Sequence, residues 1–379
     1  MNDARETNRE SLPPVLGVDI GGTHLRAAVL QGSRLLSRVS EPTGEDPLPD
    51  RTIPRIFKMM QQALEAAQLT IEAISGIGVA TPGPLDNSMG VLYSPPNMPS
   101  WEHLPMRDLF QQHYRPHQLP IYIENDANAA ALGEYLFGAG RGCKNLVYLT
   151  ISTGIGGGII LDGKIFEGTS GTAGELGHMS IDWQGERCPC GNRGCLEYYA
   201  SGTAIRRIAN AAIAAGQGAE LLAFVDTMQE HPATIPDRAA LPSLQDARTE
   251  PLNEIGDMTG SASLPRVNAR TVARAAEAGV PLAREIITRA GEALGIGLVN
   301  IIHIFNPERI ILGGGVTRMG EVLLEPALRL VHERAIKAPY ESTLISVAEL
   351  GENVGLIGAG SLVYYNNPTL TNFTNQNRE

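Results

Sequence analysis

The sequence predicts an α/β protein of two lobes facing one another across a cleft, and three observations predict it. The chain has 379 residues, about two and a half times a typical domain of roughly 150 residues. A strand, a glycine-rich turn and a second strand occur twice, at 15–30 and again at 146–161. Buried strands alternate with helical segments between and after these units, which is the element order of α/β folds. The composition, 43% hydrophobic and 19% charged with 42 Gly and 25 Pro, supplies cores and many turns and excludes general disorder.

In chain order, Val15-Leu-Gly-Val-Asp-Ile is an apolar strand that turns through Gly21-Gly22-Thr23 into a second run at 25–30. Residues 53–68 carry Ile53, Ile56, Phe57, Met60 and Leu64 at helical spacing. Residues 74–80 read as a buried strand ending at Thr81-Pro-Gly83-Pro84, and a proline-rich loop follows at 95–99. A short strand at 121–123 leads to an alanine-rich helix at 127–137, capped by either Asn125 or Asp126. The second unit begins at 146–152, passes through Thr153-Gly154-Ile-Gly-Gly-Gly158 as a turn and resumes at 159–161. A long helix at 282–305, a strand at 309–312, a turn at Gly313-Gly314-Gly315, a helix around 319–335 and a closing helix at 354–364 complete the pattern. These elements divide into an N-terminal lobe, 15–125, completed by the closing helix near 355–365, and a C-terminal lobe, 126–354. Residues 216–266 stand apart, with Pro232, Pro236, Pro242, Pro251 and Pro265, and read as a surface insertion with a helix at 219–230. Loops of this length serve as lids, contact arms or mobile segments.

Thirty basic against 41 acidic side chains give a net charge of −11, which excludes a broad electrostatic grip on a nucleic-acid backbone. A bound nucleotide would need local cradles and a metal ion. No run reaches the roughly 18–20 apolar residues of a membrane span, and residues 1–12 lack the apolar core of a secretory signal. The expectation is a cytoplasmic protein that binds neither nucleic acid nor membrane.

Asp19 ends the first strand beside Gly21, Gly22 and Thr23. Bare backbone amides in such a turn can hold phosphate, and a carboxylate there can orient hydrated Mg²⁺; the alternative is a hairpin turn with an acidic cap. The turns at Thr153-Gly154 and Gly313-Gly314 repeat the pattern, and neither matches the P-loop nor the dinucleotide fingerprint. Asp126, at the start of an alanine helix, has two compatible readings: a base for an alcohol proton, or a helix cap. His178 with Cys188, Cys190 and Cys195 supplies the four ligands of a closed tetrahedral zinc site, structural because no position stays open for water; the alternative is an ordinary loop histidine beside free or oxidised thiols. Glu175 and Glu197 flank it, so a metal would hold two carboxylates for adjacent sugar hydroxyls, with the spare nitrogen of His178 as a further partner. Cys143 lies outside the cluster and is expected to be buried.

Asp19-Ile-Gly-Gly-Thr23, Glu124-Asn-Asp-Ala-Asn128, Gly174-Glu-Leu-Gly-His178, Cys188-x-Cys-Gly-x-x-Gly-Cys-x-Glu197 and Leu312-Gly-Gly-Gly-Val316 together resemble the ROK family of sugar kinases and sugar-responsive repressors. The resemblance runs from Val15 to about Tyr364. It implies an actin-like, ribonuclease H-like ATPase fold with ATP and sugar between the lobes. It implies Asp126 as catalytic base toward the 6-hydroxyl, and Gly83, Asn97, Asn125, Glu175, His178 and Glu197 as sugar-binding residues. Asp19, Gly21, Gly22, Thr23, Thr153 and Gly154 would serve Mg²⁺ and the phosphates, Gly313 and Gly314 the adenosine, and His178, Cys188, Cys190 and Cys195 a structural Zn²⁺. Only 18 residues precede Asp19, too few for a winged helix-turn-helix, so the expectation is an enzyme. The runs at 124–134 and 197–202 look most like the glucokinases, with N-acetylmannosamine, N-acetylglucosamine and fructose as other hexoses. A homo-oligomer, dimer or tetramer, is expected. A non-catalytic sugar-binding regulator and an actin-like chaperone or filament ATPase are the alternatives of other classes.

Overall fold

The computed structural model describes residues 12–45, 47–95, 98–230, 267–367 and 370. In the first sheet β1 (Val15–Ile20), β2 (His24–Gln31) and β3 (Arg34–Pro42) form an antiparallel meander, and β4 (Ile77–Thr81) joins β1 in parallel. A small antiparallel sheet of β5 (Leu85–Asp86), β6 (Val91–Leu92) and β7 (Leu104–Pro105) precedes β8 (Ile121–Asn125), which extends the first sheet beyond β4 to give the order β3-β2-β1-β4-β8. The second large sheet repeats this plan. Its strands β9 (Leu146–Ile151), β10 (Ile155–Leu161) and β11 (Lys164–Ile165) are the meander, and β12 (Arg309–Gly313) and β13 (Leu344–Val347) add in parallel, in the order β11-β10-β9-β12-β13. The recurrence of strand, turn and strand thus extends to five strands and their order.

The helices are α1 (Pro49–Ala66), α2 (Met106–His113), α3 (Asp126–Phe137), α4 (Leu196–Ala200), α5 (Gly202–Ala214), α6 (Ala219–Glu230), α7 (Ala269–Glu277), α8 (Pro281–Phe305), α9 (Glu321–Arg334), α10 (Lys337–Ser342) and α11 (Val354–Asn366). Three cores result. Ile53, Ile56 and Met60 of α1 and Phe110 of α2 pack with Leu16, Val18 and Ile20 of the first sheet. Ile205 of α5, Val272 of α7, Leu294 and Leu298 of α8 and Leu323 of α9 pack with Val147, Leu149 and Leu312 of the second. Between the sheets lie α3 and α11, buried on nearly every side, where Leu132, Leu136, Leu356 and Leu362 meet Val15, Tyr148 and Ile311. Helices that bury all of their faces carry no amphipathic stripe, and α3 and α11 leave almost nothing exposed.

Close backbone approach holds this middle layer to the first sheet. A Cβ at Gly78 would overlap the carbonyl of Ala359, and one at Gly358 would lie 2.5 Å from the carbonyl carbon of Ala129. Gly78→Ala is therefore expected to destabilise the fold by about 1–3 kcal/mol through overpacking, read as a lower midpoint in urea at unchanged slope.

Two expectations need correction. Gly156, Gly157 and Gly158 are inside β10, not in the turn, which is confined to Ser152-Thr153-Gly154. The reason is packing: a Cβ at Gly158 would lie 2.7 Å from that of Ala131, and one at Gly157 would lie 2.6 Å from the carbonyl oxygen of Gly174. Cys143 is half-exposed, not buried. The helix at 219–230 in the expected insertion is present as α6, but it is not a surface element throughout: Leu221 and Val225 are buried in the core of the second sheet. Residues 231–266 fall outside the described residues. Among the described residues, no single helix is long and apolar enough to cross a membrane.

Candidate active site

The predicted residues gather at the carboxyl ends of the parallel strands of both large sheets, where ligands bind in open α/β sheets. β1 delivers Asp19 and turns through Gly21, Gly22 and Thr23, the last two exposed. The turn is closed by the Gly21 N–H on the carbonyl of His24 at 2.9 Å. Thr43, from beyond β3 and unmarked by any sequence signal, braces it by donating its hydroxyl to the Gly21 carbonyl at 2.6 Å and its N–H to the Thr23 carbonyl at 2.9 Å. The Asp19 carboxylate receives Arg26 Nη1 at 3.3 Å and rests on the first turn of α11, where a Cβ at Gly355 would come 2.7 Å from its Cγ. Burial raises the Asp19 pKa against the pull of Arg26.

β8 delivers Asn125 and Asp126, and the cap of α3 is Asn125. Its Oδ1 accepts the N–H groups of Ala127 at 2.9 Å and Asn128 at 3.4 Å. Oδ1 being committed to the helix, Nδ2 is the end left for a ligand, and a Cβ at Gly83 would stand 3.2 Å from it. Asn97, the other loop residue expected here, lies outside the described residues. Asp126 is the first helical residue and accepts the Ala127 N–H at 2.8 Å. Burial pushes its carboxyl up to about 7, and the negative charges of Asp19 and Glu175 add to the rise while the Ala127 N–H opposes it. Charges from two segments far apart in the chain therefore both act on Asp126.

In the second sheet the Thr153-Gly154 turn receives the start of α5, with Gly202 N–H on the Ser152 carbonyl at 2.8 Å and Thr203 N–H on that of Thr153 at 3.2 Å. Glu197 of α4 accepts the Ile155 N–H at 2.7 Å, directly beneath Gly154. Its carboxylate is thus shared between the cysteine motif and this turn. Gly313 is buried, because a Cβ there would meet the ring of Tyr148. Gly314, with φ +91°, is half-exposed, and the exposed Gly315 has open space about it.

His178, Cys188, Cys190 and Cys195 present ligand atoms that all lie within 4.8 Å of one another. Cys190 Sγ and Cys195 Sγ stand 3.6 Å apart, close to the roughly 3.8 Å edge of a tetrahedron with zinc–sulfur bonds of about 2.3 Å. Burial, with hydrogen bonds that the thiol donates to Cys188 and Cys190, pushes the Cys195 thiol up to about 12, so a cation is what would let these thiols ionise together. The donor set fits Zn²⁺. Nδ1 of His178 faces Cys188 Sγ at 4.0 Å and Nε2 faces Glu175 Oε2 at 3.9 Å, so the ring has one side for a metal and one for the cleft. Ile181 N–H on the Gly194 carbonyl at 2.8 Å and Leu196 N–H on that of Met179 at 3.0 Å zip the His178 and Cys195 segments together.

Two repeated mixed sheets, glycine turns at their facing ends and a carboxylate between them define the actin-like class of α/β folds. The chain belongs to the ROK family, whose profile matches residues 15–365. It is 31% identical to a glucokinase of Halalkalibacterium halodurans over 92% of this chain and 94% of that one. It is 29% identical to a xylose repressor of Caldicellulosiruptor bescii over 92% of this chain and 77% of that one. The solved structure of a ROK glucokinase of Streptomyces griseus with glucose and AMPPNP superposes with a TM-score of 0.70 at 30% identity, covering 92% of this chain and 98% of that one.

Proposed function

We propose that this protein phosphorylates a hexose, above all glucose, at its 6-hydroxyl with ATP. The observation that carries the reading is Asp126, at the junction of β8 and α3, whose carboxyl is lifted to about 7 by burial and by the charges of Asp19 and Glu175. A base poised near neutrality suits removal of an alcohol proton as the phosphoryl group arrives. In-line transfer asks the protein chiefly for positioning and charge neutralisation. Asn125, Glu175, His178 and Glu197, with Gly83 and Asn97 at the edge, would hold the sugar hydroxyls. Thr23, Thr153 and the bare amides of Gly21, Gly22 and Gly154 would cradle phosphates, with Asp19 on the waters of Mg²⁺, and Gly313-Gly314 would border the adenosine. Zn²⁺ at His178, Cys188, Cys190 and Cys195 would be structural. The lobes would be 15–125 with α11, and 126–354, in a cytoplasmic enzyme that assembles as a dimer or tetramer.

The test is coupled ADP release over glucose, fructose, N-acetylglucosamine and N-acetylmannosamine. The expected result is release that depends on glucose, with little ATP hydrolysis in its absence, because closure over sugar excludes water. The similarity to a xylose repressor favours a second reading, a sugar-binding regulator without transfer. Sugar binding by calorimetry without sugar-dependent ADP release would establish that reading, and ATP hydrolysis indifferent to sugar would point to an ATPase.

A further inference from the structure

Glu124, at the end of β8, is only 4% exposed, and among the described residues it has no ion-pair partner. Amide donors surround it instead. Its Oε1 accepts the Asn125 N–H at 2.8 Å and Asn128 Nδ2 at 3.0 Å, and both of its oxygens receive Nδ2 of Asn87 at 2.9 Å. Asn87 opens the turn between β5 and β6. That turn is built stiff: Asp86 Oδ1 accepts the Ser88 hydroxyl at 2.6 Å and the Met89 N–H at 3.0 Å, and Arg107 of α2 donates to the carbonyls of Asn87 and Ser88. Its far side meets the loop that leads to Glu175, where a Cβ at Gly171 would lie 3.2 Å from the Leu85 carbonyl oxygen and 3.7 Å from the Asn87 nitrogen. The turn therefore touches the junction carrying Asn125 and Asp126 on one side and the loop carrying Glu175 on the other.

We propose that Asn87 and Glu124 are positioning residues for sugar capture: their amide–carboxylate clasp fixes the turn that spaces Asn125 from the Glu175 loop. This rests on the hexose-kinase reading. The clasp sets how well the pocket is preformed for the sugar hydroxyls, and so acts on sugar affinity and not on the transfer step. It also has a polarity. A carboxylate needs a donor opposite, and an unmatched pair in a buried site costs far more than the pair contributes when matched. Oδ1 of Asn87 is buried without a partner, so the amide can turn over and offer an acceptor if Glu124 becomes an amide.

Exchange of the two groups supplies the test. Asn87→Asp sets carboxyl against carboxyl. It is assayed at about pH 9, so that Glu124, which burial lifts to about 7, does not hold a shared proton. There it is expected to raise the Kd and KM for glucose by about tenfold or more, with kcat at saturating sugar and the KM for ATP changed less than about threefold. Adding Glu124→Gln restores a carboxylate facing an amide in reversed order, and the double variant is expected to recover most of the lost affinity. Kd is measured by calorimetry, turnover by ADP release and folding by thermal melts. Unchanged glucose affinity in Asn87→Asp, or a double variant no better than the single one at equal Tm, would overturn the clasp. Wild type that binds glucose without transferring phosphate sinks the kinase reading, yet the clasp is still judged by the Kd values. Wild type that binds no hexose overturns both.

Discussion

Asp126→Asn is expected to lower kcat by about 10²–10⁴-fold, the scale of a lost general base, while glucose Kd stays within about threefold. The amide keeps the shape of the carboxyl and can still accept the Ala127 N–H, so the first turn of α3 is preserved. Helix capping is not at stake, because Asn125 performs it. What disappears is the proton acceptor. In the wild type, burial and the charges of Asp19 and Glu175 set that acceptor near 7, so kcat/KM is expected to rise as pH increases through about 7 and then level off. The variant should lack this limb. Unchanged turnover, or an unchanged pH profile, would remove Asp126 from the chemistry.

The same residue makes a stability prediction of opposite sense. Its folded pKa, about 7, lies above the ordinary 3.8, so between these values the folded state binds more protons than the unfolded one. Stability attributable to Asp126 is therefore greatest at the acid end of that window and declines as pH rises through 7. Asp126→Asn carries no charge to bury, and at pH 8 its Tm is expected to exceed that of wild type by about 1–2 °C, roughly the shift that 1 kcal/mol produces in a chain of this length at about 2.1 cal/mol/K per residue. A gain in stability joined to loss of turnover is the pattern of a residue kept for function at a cost to the fold.

The candidate site residues that the structure brings together were legible because their signals are local. The cysteine spacing, the strand–glycine turns and the Asn125-Asp126 start of an alanine helix each fit within a dozen residues. Partners supplied from far along the chain were not. Nothing near Asn87 announces Glu124, 37 positions away, and nothing near Gly355 announces that Asp19 rests on it. The strand β3 escaped because it is an edge strand: its exposed and half-exposed pattern, with Arg34, Ser37, Arg38 and Ser40, dilutes the apolar run. Gly156-Gly157-Gly158 misled for the opposite reason. Glycine signals a turn when read along the chain, but here it serves the neighbour, giving α3 and the Gly174 segment room against β10. The repeat of strand, turn and strand was legible, but the order of the strands was not, because it depends on pairings between segments far apart in the chain and on the edge strands β3, β11 and β13.

Metal removal is the second large effect. Cys190→Ser, or chelation of the wild type, is expected to lose one zinc per chain and to weaken glucose binding by about 10–100-fold, the range found when groups that orient a site are disturbed. The cluster joins the two segments that bear the flanking carboxylates. Glu175 directly precedes the short helical turn Leu176–His178, and Cys195 directly precedes the helix that carries Glu197. Without a cation the three crowded thiols would not ionise together: burial raises Cys188 and Cys195, and the Cys195 thiol, at about 12, would remain protonated at any physiological pH. The effect should not stop at the sugar. Glu197 holds the Ile155 N–H at 2.7 Å, and that amide anchors the Thr153-Gly154 turn on which the nucleotide phosphates would rest. The KM for ATP is therefore expected to rise together with that for glucose in metal-free protein, although no zinc ligand is required to touch ATP. Asp126→Asn should leave both nearly unaltered, which separates loosening of the frame from loss of the base. Calorimetry that found normal glucose affinity in the metal-free protein would break the link between the zinc cluster and the cleft.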